Sequence, residues 1–424
     1  MLQVAYIREH KLDLIEGLKK RYFSDFQVID EVLELDDKRK SIQKELDDIN
    51  AKSNLISKEI GQLFQQGKRD EAEQKKTETG DLKVKSEQLK HEFKAVSVTL
   101  DEQLRHIPNM PNPLVPLGKT DEDNMELERF GTIPELGSDA QPHWELCKTY
   151  DLIDFDLGSK ITGAGFPVYL GQGARLQRAF INYFLDFNRK AGYKEYIPPF
   201  VVNAASGRGT GQLPDKEGQM YHCTEDDLYL IPTSEVPITN IYRDVILKEE
   251  DLPIKMTAYS PCFRREAGSY GKDVRGLNRL HQFEKVEIVQ VTKPEDSYDT
   301  LDQMVKHVGE LIESLGLPYR LLRLCGGDLG FTSALTYDFE VFSAAQNRWL
   351  EVSSISNFEA YQTNRLKCRY KNKATKKTEF CHTLNGSSLA LPRIFAALLE
   401  NNQTADGIQI PEVLRSYTGF DKIG

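Results

Sequence analysis

The chain has 424 residues, 39% of them apolar and 28% charged, with a formal net charge of −10. That length exceeds one small domain, the balance is that of a folded protein, and no stretch reaches the ~18 uninterrupted apolar residues of a membrane span. The negative charge also excludes a surface coated throughout with basic patches for nucleic acid, leaving room only for local ones.

The N-terminus, MLQVAYIREH, runs straight into the charged KLDLIEGLKK. It has neither an apolar signal core nor the Arg- and Ser-rich, acid-poor texture of a transit peptide, so the expected location is the cytoplasm, with no membrane partner. The cysteines (Cys147, Cys223, Cys262, Cys325, Cys368 and Cys381) contain no C-x-x-C pair and make no disulfide framework at this length. His222-Cys223 and Cys381-His382 are adjacent residues, which leave a strand on opposite faces, so no zinc site is expected.

Two long helical patterns come first. In one, Leu35, Ile42, Leu46, Ile49, Ile56, Ile60 and Leu63 fall on a 4-3 spacing, interrupted by Arg39 and Ser53. In the other, Leu82, Leu89, Phe93, Val96 and Leu100 keep that spacing, interrupted by Ser86. Each seam needs a partner helix, and QQGKRD around Gly67 supplies a turn that makes each the other's partner. The expectation is a long antiparallel coiled-coil hairpin, ~43 Å from Leu35 to Leu63 at about 1.5 Å per residue. Such an arm is either a spacer or a device for reaching a large ligand. Its lysines (Lys38, Lys40, Lys44, Lys52, Lys58, Lys68, Lys75 and Lys76) suit phosphates, but acids interleave them and charge alone leaves both readings open.

Pro108, Pro111, Pro113 and Pro116 then end the helical texture, since proline removes a donor and disfavours helix in the residue before it. The expected division is an N-terminal domain with the arm at 1–107, a Pro-rich linker at 108–125 and a larger domain at 126–424. That larger domain reads as α+β. Strand-like runs (DLYLIP, MTAYSPCF, HQFEKVEIVQV, YDFEVF) alternate with helical ones (GARLQRAFINYFLDFNRKAG, TLDQMVKHVGELIESLG, PRIFAALLENNQ). Few short crossovers favour a largely antiparallel sheet. No G-x-x-x-x-G-K-[ST] and no strand-linked G-x-G-x-x-G occurs; GSYGKD has neither the spacing nor the hydroxyl. A nucleotide here would be held without a P-loop or a Rossmann turn.

The most informative segment is FRREAGSYGKDVRGLNRLHQFEKVEIV. It reads as a strand ending in Arg264-Arg265-Glu266, a loop with Gly268, Gly271 and Gly276, and a returning strand through Arg279, His281, Phe283, Lys285 and Glu287. Alternation puts Arg264 and Glu266 on one face, and those five odd-numbered residues on one face of the partner strand. Two arginines, two carboxylates and an aromatic ring then face one cleft, an arrangement that needs pairing or a charged ligand. A salt-bridge ladder on a surface hairpin would need neither the Gly-rich loop nor the Phe.

Arg264-x-Glu266, a loop, then Arg279-x-x-x-Phe283 resembles the second signature motif of class II aminoacyl-tRNA synthetases, and the full segment closely resembles the seryl-tRNA synthetase family. AGYKEYIPP resembles the first class II motif, which in the family builds the dimer interface. HTLNGSSLALPRIFAALLENNQ resembles the third, with Pro392 before Arg393 where a glycine is common; proline is sterically welcome in a first helical turn. The resemblance covers essentially the whole chain. It implies an antiparallel class II catalytic core, an N-terminal tRNA-binding arm, a homodimer, and ATP, serine and tRNA as substrates. It leaves open whether a selenocysteine tRNA is charged as well.

The resemblance also implies roles. Arg264 meets the α-phosphate and the serine carboxylate, Glu266 the adenine edge, Phe283 the base face and Arg393 the γ-phosphate end. Arg265, Arg279, Leu280, Val352 and Ser353 line the nucleotide, and Glu351 and Ser354 in WLEVSS hold Mg²⁺. Arginine forks suit phosphate and hard oxygens suit that ion. Serine falls to Thr233, Ser234, Glu235, Arg264, Glu287 and Ser387, with Glu287 for the ammonium. Read without the family, Thr233-Ser234-Glu235 before Pro237 is a helix start and Ser387 a turn serine after Asn-Gly. Glu351 could equally be a solvent-facing strand carboxylate. RLKCRYKNKATKK (365–377) is either a solvated hairpin tip or a contact for tRNA phosphate. Two other classes remain at this point: a ligase that passes an aminoacyl adenylate to a carrier protein, and a non-catalytic scaffold. The first does not account for the long arm, and the second does not account for an intact set of Arg264, Glu266, Phe283 and Arg393.

Overall fold

The structure, a computed structural model, describes residues 1–215, 218–266 and 275–424. The chain divides into two compact units, Met1–Lys19 with Phe23–Pro108, and Lys20–Tyr22 with Asn109–Gly424.

In the first unit, short helices at Val4–Glu9 and Lys11–Lys20 precede the hairpin of α1 (Gln27–Gln65) and α2 (Arg69–Leu104). Ile42, Leu46 and Ile49 of α1 are buried against Leu89 and Val96 of α2, with Leu35, Leu82 and Phe93 alongside. The polar interruption at Ser86 is answered, since its hydroxyl donates to Asn50 Oδ1 at 3.3 Å. Ion pairs flank the seam: Lys38–Glu92 at 3.1 Å, Lys85–Glu45 at 2.6 Å, Lys52–Glu78 at 2.9 Å and Lys75–Glu59 at 2.8 Å. Numbers rise along α1 as they fall along α2, as antiparallel packing requires. The interleaved acids thus take up several of the lysines. At the foot of α1, buried Asp36 meets Arg8 at 3.1 Å, Arg39 at 2.8 Å and Lys40 at 2.7 Å. Burial alone would raise this carboxyl, but the three cations hold it down at about 2.

The second unit is built on a sheet whose strands are β1 (Met125–Phe130), β2 (Lys194–Tyr196), β3 (Ile254–Phe263), β4 (Gln282–Thr292), β5 (Tyr319–Arg323), β6 (Leu335–Ser343), β7 (Arg348–Glu359) and β8 (His382–Ala390). Their order is β1-β5-β6-β7-β8-β4-β3-β2, antiparallel except that β2 runs parallel to β3. The unit's helices include α3 (His143–Thr149), α4 (Gly171–Lys190), α5 (Glu235–Asn240), α6 (Ser297–Ser314), α7 (Ala360–Leu366) and α8 (Leu391–Asn401). Phe180 and Phe184 of α4, Leu301 and Met304 of α6 and Phe395 of α8 share one core with Val286 and Ile288 of β4, Ile355 of β7 and Leu384 of β8. These helices seal one face of the sheet, leaving polar side chains of the central strands for the other.

One central strand departs from the turn signals of the sequence. Asn385-Gly386 has the composition of a turn yet lies inside β8. A Cβ on Gly386 would sit 3.0 Å from Ile355 Cγ1, so the glycine serves close strand packing rather than a reversal. The 365–377 stretch does form a hairpin, with 369–371 pairing 378–380 and an exposed tip where Lys373 meets Glu250 at 3.1 Å. No helix among the described residues is long and apolar enough to cross a membrane.

Candidate active site

The site grows from the register of three adjacent strands. On β4, alternation puts Phe283, Lys285 and Glu287 on the face opposite Val286 and Ile288, which enter the core, although half-buried Phe283 also packs against that core. β3 ends at Phe263, so the extended segment expected through Glu266 stops short. Glu266 instead has a left-handed backbone (φ 47°), which turns the chain out of the sheet. Arg279 and His281 likewise precede β4 rather than belonging to it; His281 stacks on Phe166 at 5.4 Å and meets the Tyr221 hydroxyl at 2.8 Å. Pairing carries on by one bond, from the Arg264 N–H to the His281 carbonyl at 2.9 Å, and this keeps the two ends together. Gly268 and Gly271 lie outside the described residues.

Those ends still converge. The Arg264 guanidinium lies over the Phe283 ring, 5.1 Å from its centroid. Arg279 pairs with Glu266 at 3.1 Å. Arg265 turns elsewhere, over Tyr221 at 5.6 Å. Arg393, in the first turn of α8, donates from Nε to the Asn278 carbonyl at 3.1 Å and from Nη1 to the Glu351 carbonyl at 2.7 Å. Its guanidinium also lies 3.6 Å from the Glu351 carboxylate. Leu280, Val352 and Ser353 are buried, so their side chains belong to the interior; Ser353 donates to the Ser387 carbonyl at 2.6 Å.

Deeper along β4, Glu287 is fully buried and pairs with Lys285 at 2.5 Å. It also accepts from the Thr233 hydroxyl at 3.2 Å and Asn385 Nδ2 at 3.3 Å, and Ser387 of β8 stands directly opposite it. Thr233 does two jobs at once, because its hydroxyl also accepts the Glu235 N–H at 3.2 Å where α5 begins. Ser234 donates to the Ser260 hydroxyl at 2.6 Å. Glu235 accepts from Gln362 Nε2 at 2.7 Å, and burial and the nearby Glu287 push its carboxyl up to about 7.

Glu351 and Ser354 are three residues apart, a spacing that puts side chains on opposite faces of a regular strand. A bulge changes this. Phe339 pairs with Ser353 but Glu340 pairs with Glu351, so β7 carries one extra residue at Val352. Val352 and Ile355 enter the core, while Glu351 and Ser354 both face outward over Asp338 and Glu340 of β6. Asp338 is buried, its Oδ1 has no hydrogen-bond partner among the described residues, and burial and Glu351 drive it well above the ordinary carboxylate range. Glu340 is satisfied by Arg320 at 2.5 Å.

Three comparisons with known proteins place the chain. A family model described as the seryl-tRNA synthetase N-terminal domain matches residues 1–111, and one described as the tRNA synthetase class II core domain (G, H, P, S and T) matches 221–402. The serine–tRNA ligase of Salinibacter ruber is 49% identical over all of this chain and 99% of its own length, and that of Clostridium tetani 45% over 99% of each. The chain belongs to the seryl-tRNA synthetase family. A crystal structure of the family member from Pyrococcus horikoshii, complexed with ATP, superposes over 100% of this chain and 99% of that one with a TM-score of 0.91 at 32% identity. The cytoplasmic enzyme of Naegleria fowleri, in complex with AMP, gives 0.86 at 30% over 100% and 98%.

Within this synthetase fold, some contributors escaped the motifs. Asp338 and Glu340 had a signal, an acid pair at i and i+2 in YDFEVF that alternation puts on one face. Gln362, which holds Glu235 while accepting from Thr383 at 2.8 Å, had none. Nor did the Asn278 carbonyl that orients Arg393. The residue pairs once weighed as zinc ligands have other partners: His222 stacks on Tyr229 at 4.3 Å and His382 meets Ser297 at 2.9 Å.

Proposed function

We propose that this chain, an ATP-dependent ligase joining serine to tRNA, forms seryl adenylate in the hollow bounded by Arg264, Phe283, Glu287 and Arg393. The observation that carries the reading is the juxtaposition of a phosphate-matching fork and an aromatic ring, Arg264 over Phe283 at 5.1 Å, on the strand that also bears buried Glu287. Phe283 stacks on the adenine, Glu266 meets its edge with Arg279 bracing that carboxylate, and Arg264 and Arg393 hold the two ends of a bent triphosphate. Arg265 adds charge at the rim, and Leu280, Val352 and Ser353 contribute main chain.

Serine binds deeper. Its ammonium takes Glu287, and its hydroxyl is read by the polar set of Thr233, Ser234, Glu235 and Ser387, which alanine or glycine would leave unpaired. Its carboxylate lies against Arg264 and attacks the α-phosphorus in line; pyrophosphate leaves, and the tRNA terminal hydroxyl then takes the acyl group. No enzyme nucleophile is required, since positioning and charge neutralisation suffice.

Glu351 and Ser354 would hold Mg²⁺. The fit is good: the bulge brings the two oxygen donors to one face beside Asp338, whose Oδ1 is unsatisfied among the described residues, and crowded carboxylates there are what a cation would relieve. Such an ion takes many of its ligands from phosphate and water, so it needs few protein oxygens. When bound, it neutralises phosphate charge.

The same reading makes the α1–α2 hairpin the tRNA-binding arm, and makes residues 191–199, with Ile197 85% exposed, part of a homodimer interface in a cytoplasmic enzyme. Transfer to a carrier protein is not favoured, because the match of residues 1–111 is to a seryl-tRNA synthetase domain. Pyrophosphate exchange run across all twenty amino acids tests the assignment. Serine alone should support it strongly, and a purified protein inert with serine would overturn it.

A further inference from the structure

Outside the nucleotide and serine groups, one buried polar cluster on the catalytic unit centres on His143. This residue starts α3 and is fully buried. Its Nδ1 lies 2.7 Å from Glu400 Oε1, and its own main-chain N–H donates to the same oxygen at 2.9 Å. On the other side of the ring, Nε2 receives the Leu277 N–H at 2.9 Å. The partners fix the tautomer: the proton is on Nδ1, facing a carboxylate, and the lone pair is on Nε2, facing an N–H.

Glu400 sits on α8, the helix that begins beside Arg393. Burial alone would raise its carboxyl, but the bonds from His143 and Ser343 outweigh burial and hold it below its ordinary range. Gln346 donates to Glu400 Oε1 at 3.0 Å and accepts from Asn278 Nδ2 at 2.9 Å. The segment from Gly276 to Asn278 is therefore gripped by its main chain through His143 and by its side chain through Gln346. The grip is tight. Gly276 has φ +65°, and a Cβ there would lie 2.2 Å from His143 Nε2. Next to it, Arg275 stacks on Trp144 at 4.6 Å and pairs with Glu145 at 3.3 Å.

What this segment carries gives the cluster its meaning. The Asn278 carbonyl accepts Arg393 Nε at 3.1 Å, and the next residue, Arg279, pairs with Glu266 at 3.1 Å. We propose that His143 is a positioning residue for nucleotide binding: by accepting the Leu277 N–H it sets the Asn278 carbonyl and the start of Arg279, and through them the aim of Arg393 and Glu266. This rests on the ATP reading of those residues.

The two ring nitrogens can be tested separately. His143→Asn keeps a donor near Glu400 but offers nothing to the Leu277 N–H, whereas His143→Gln can present an oxygen near the Nε2 position. In serine-dependent exchange, His143→Asn should raise the KM for ATP about tenfold, the scale set by one buried N–H left unpaired. Its KM for serine should stay within about twofold, and His143→Gln should recover most of the ATP loss. Equal KM values for ATP in the two variants, or an effect confined to melting temperature, would overturn the inference. If neither variant folds, Asn278→Ala, which cuts the Gln346 tie alone, should raise the KM for ATP with serine unaffected; an unchanged KM for ATP would count equally against the idea. Loss of exchange in Arg264→Ala and Arg393→Ala alongside a silent His143 would leave the nucleotide reading intact, and only the positioning role would fail.

Discussion

The helical hairpin and the catalytic sheet are stabilised and charged in opposite ways. In the hairpin the contacts repeat every three or four residues, the ion pairs are exposed, and the buried Asp36 is surrounded by cations that keep it ionised. In the sheet the contacts join strands far apart in the chain, and buried Glu235, at the start of α5, is pushed up to about 7 by its burial and by the nearby Glu287. An arm can be altered piece by piece with graded effects. A site of unlike residues gathered from separate strands fails when one of them is removed.

The largest expected effect follows from that difference. Arg264→Ala and Arg393→Ala should each lower serine-dependent pyrophosphate exchange at least ~100-fold, the scale of losing one preorganised charge-stabilising donor, with circular dichroism unchanged. Near-normal exchange in either variant would remove its assigned role. Next, Ile49→Ala on the hairpin should cost about 2–5 kcal/mol of local stability, as for other buried Ile to Ala changes. Serine activation should persist in that variant while charging of tRNA falls. A parallel fall in both activities would contradict the independence of arm and site.

Acidity separates the regions further. Glu235, near 7 when folded against an ordinary carboxylate value of 4.5, destabilises most above pH 7, and the cost fades as pH falls through that interval. Glu235→Gln should therefore raise the melting temperature by a few degrees at pH 8, with the gain vanishing near pH 5. Asp36 has the reverse sign: depressed to about 2 from 3.8, its stabilisation is complete above the higher value and disappears on acidification towards the lower. Melting temperatures of the two variants should therefore depart from the parent in opposite directions at neutral to alkaline pH, Glu235→Gln upward and Asp36→Asn downward, and rejoin it on acidification, Glu235→Gln first. The smallest effect belongs to Lys52→Ala, which removes a solvent-exposed pair with Glu78 and should leave the melting temperature nearly unchanged.

Legibility followed the same divide. The hairpin was readable because its partner residues recur at fixed intervals and its turn is local, so Ile42, Leu46, Ile49, Leu89 and Val96 could be assigned to a seam before any coordinates. On the sheet, Phe283 and Glu287 were readable through strand alternation, but the strands end earlier than the charge pattern suggested, at Phe263 and Gln282. Arg264 and Glu266 lie beyond the end of β3 and do not share a pleat; Arg264 is held by its N–H bond to the His281 carbonyl, and the backbone turns at Glu266. The central strands β7 and β8 were hardest to see. EVSSISN and TLNGSSLA are polar and small because they are packed between neighbours and line a site, and that composition imitates loops. Gln362 and the Asn278 carbonyl carry no local sign of their purpose, since only tertiary contacts define it.

The extra residue in β7 has a consequence for how this enzyme tolerates change. Substituting Val352 alters a packing group, but inserting one residue between Phe339 and Glu340 of β6 would give Val352 a partner, restore an unbroken pleat and rotate Glu351 and Ser354 to opposite sides of the sheet. A one-residue difference in spacing, invisible to any survey of which amino acids are present, thus decides whether an acid and a hydroxyl can act together. Length at this position is under a constraint that composition is not.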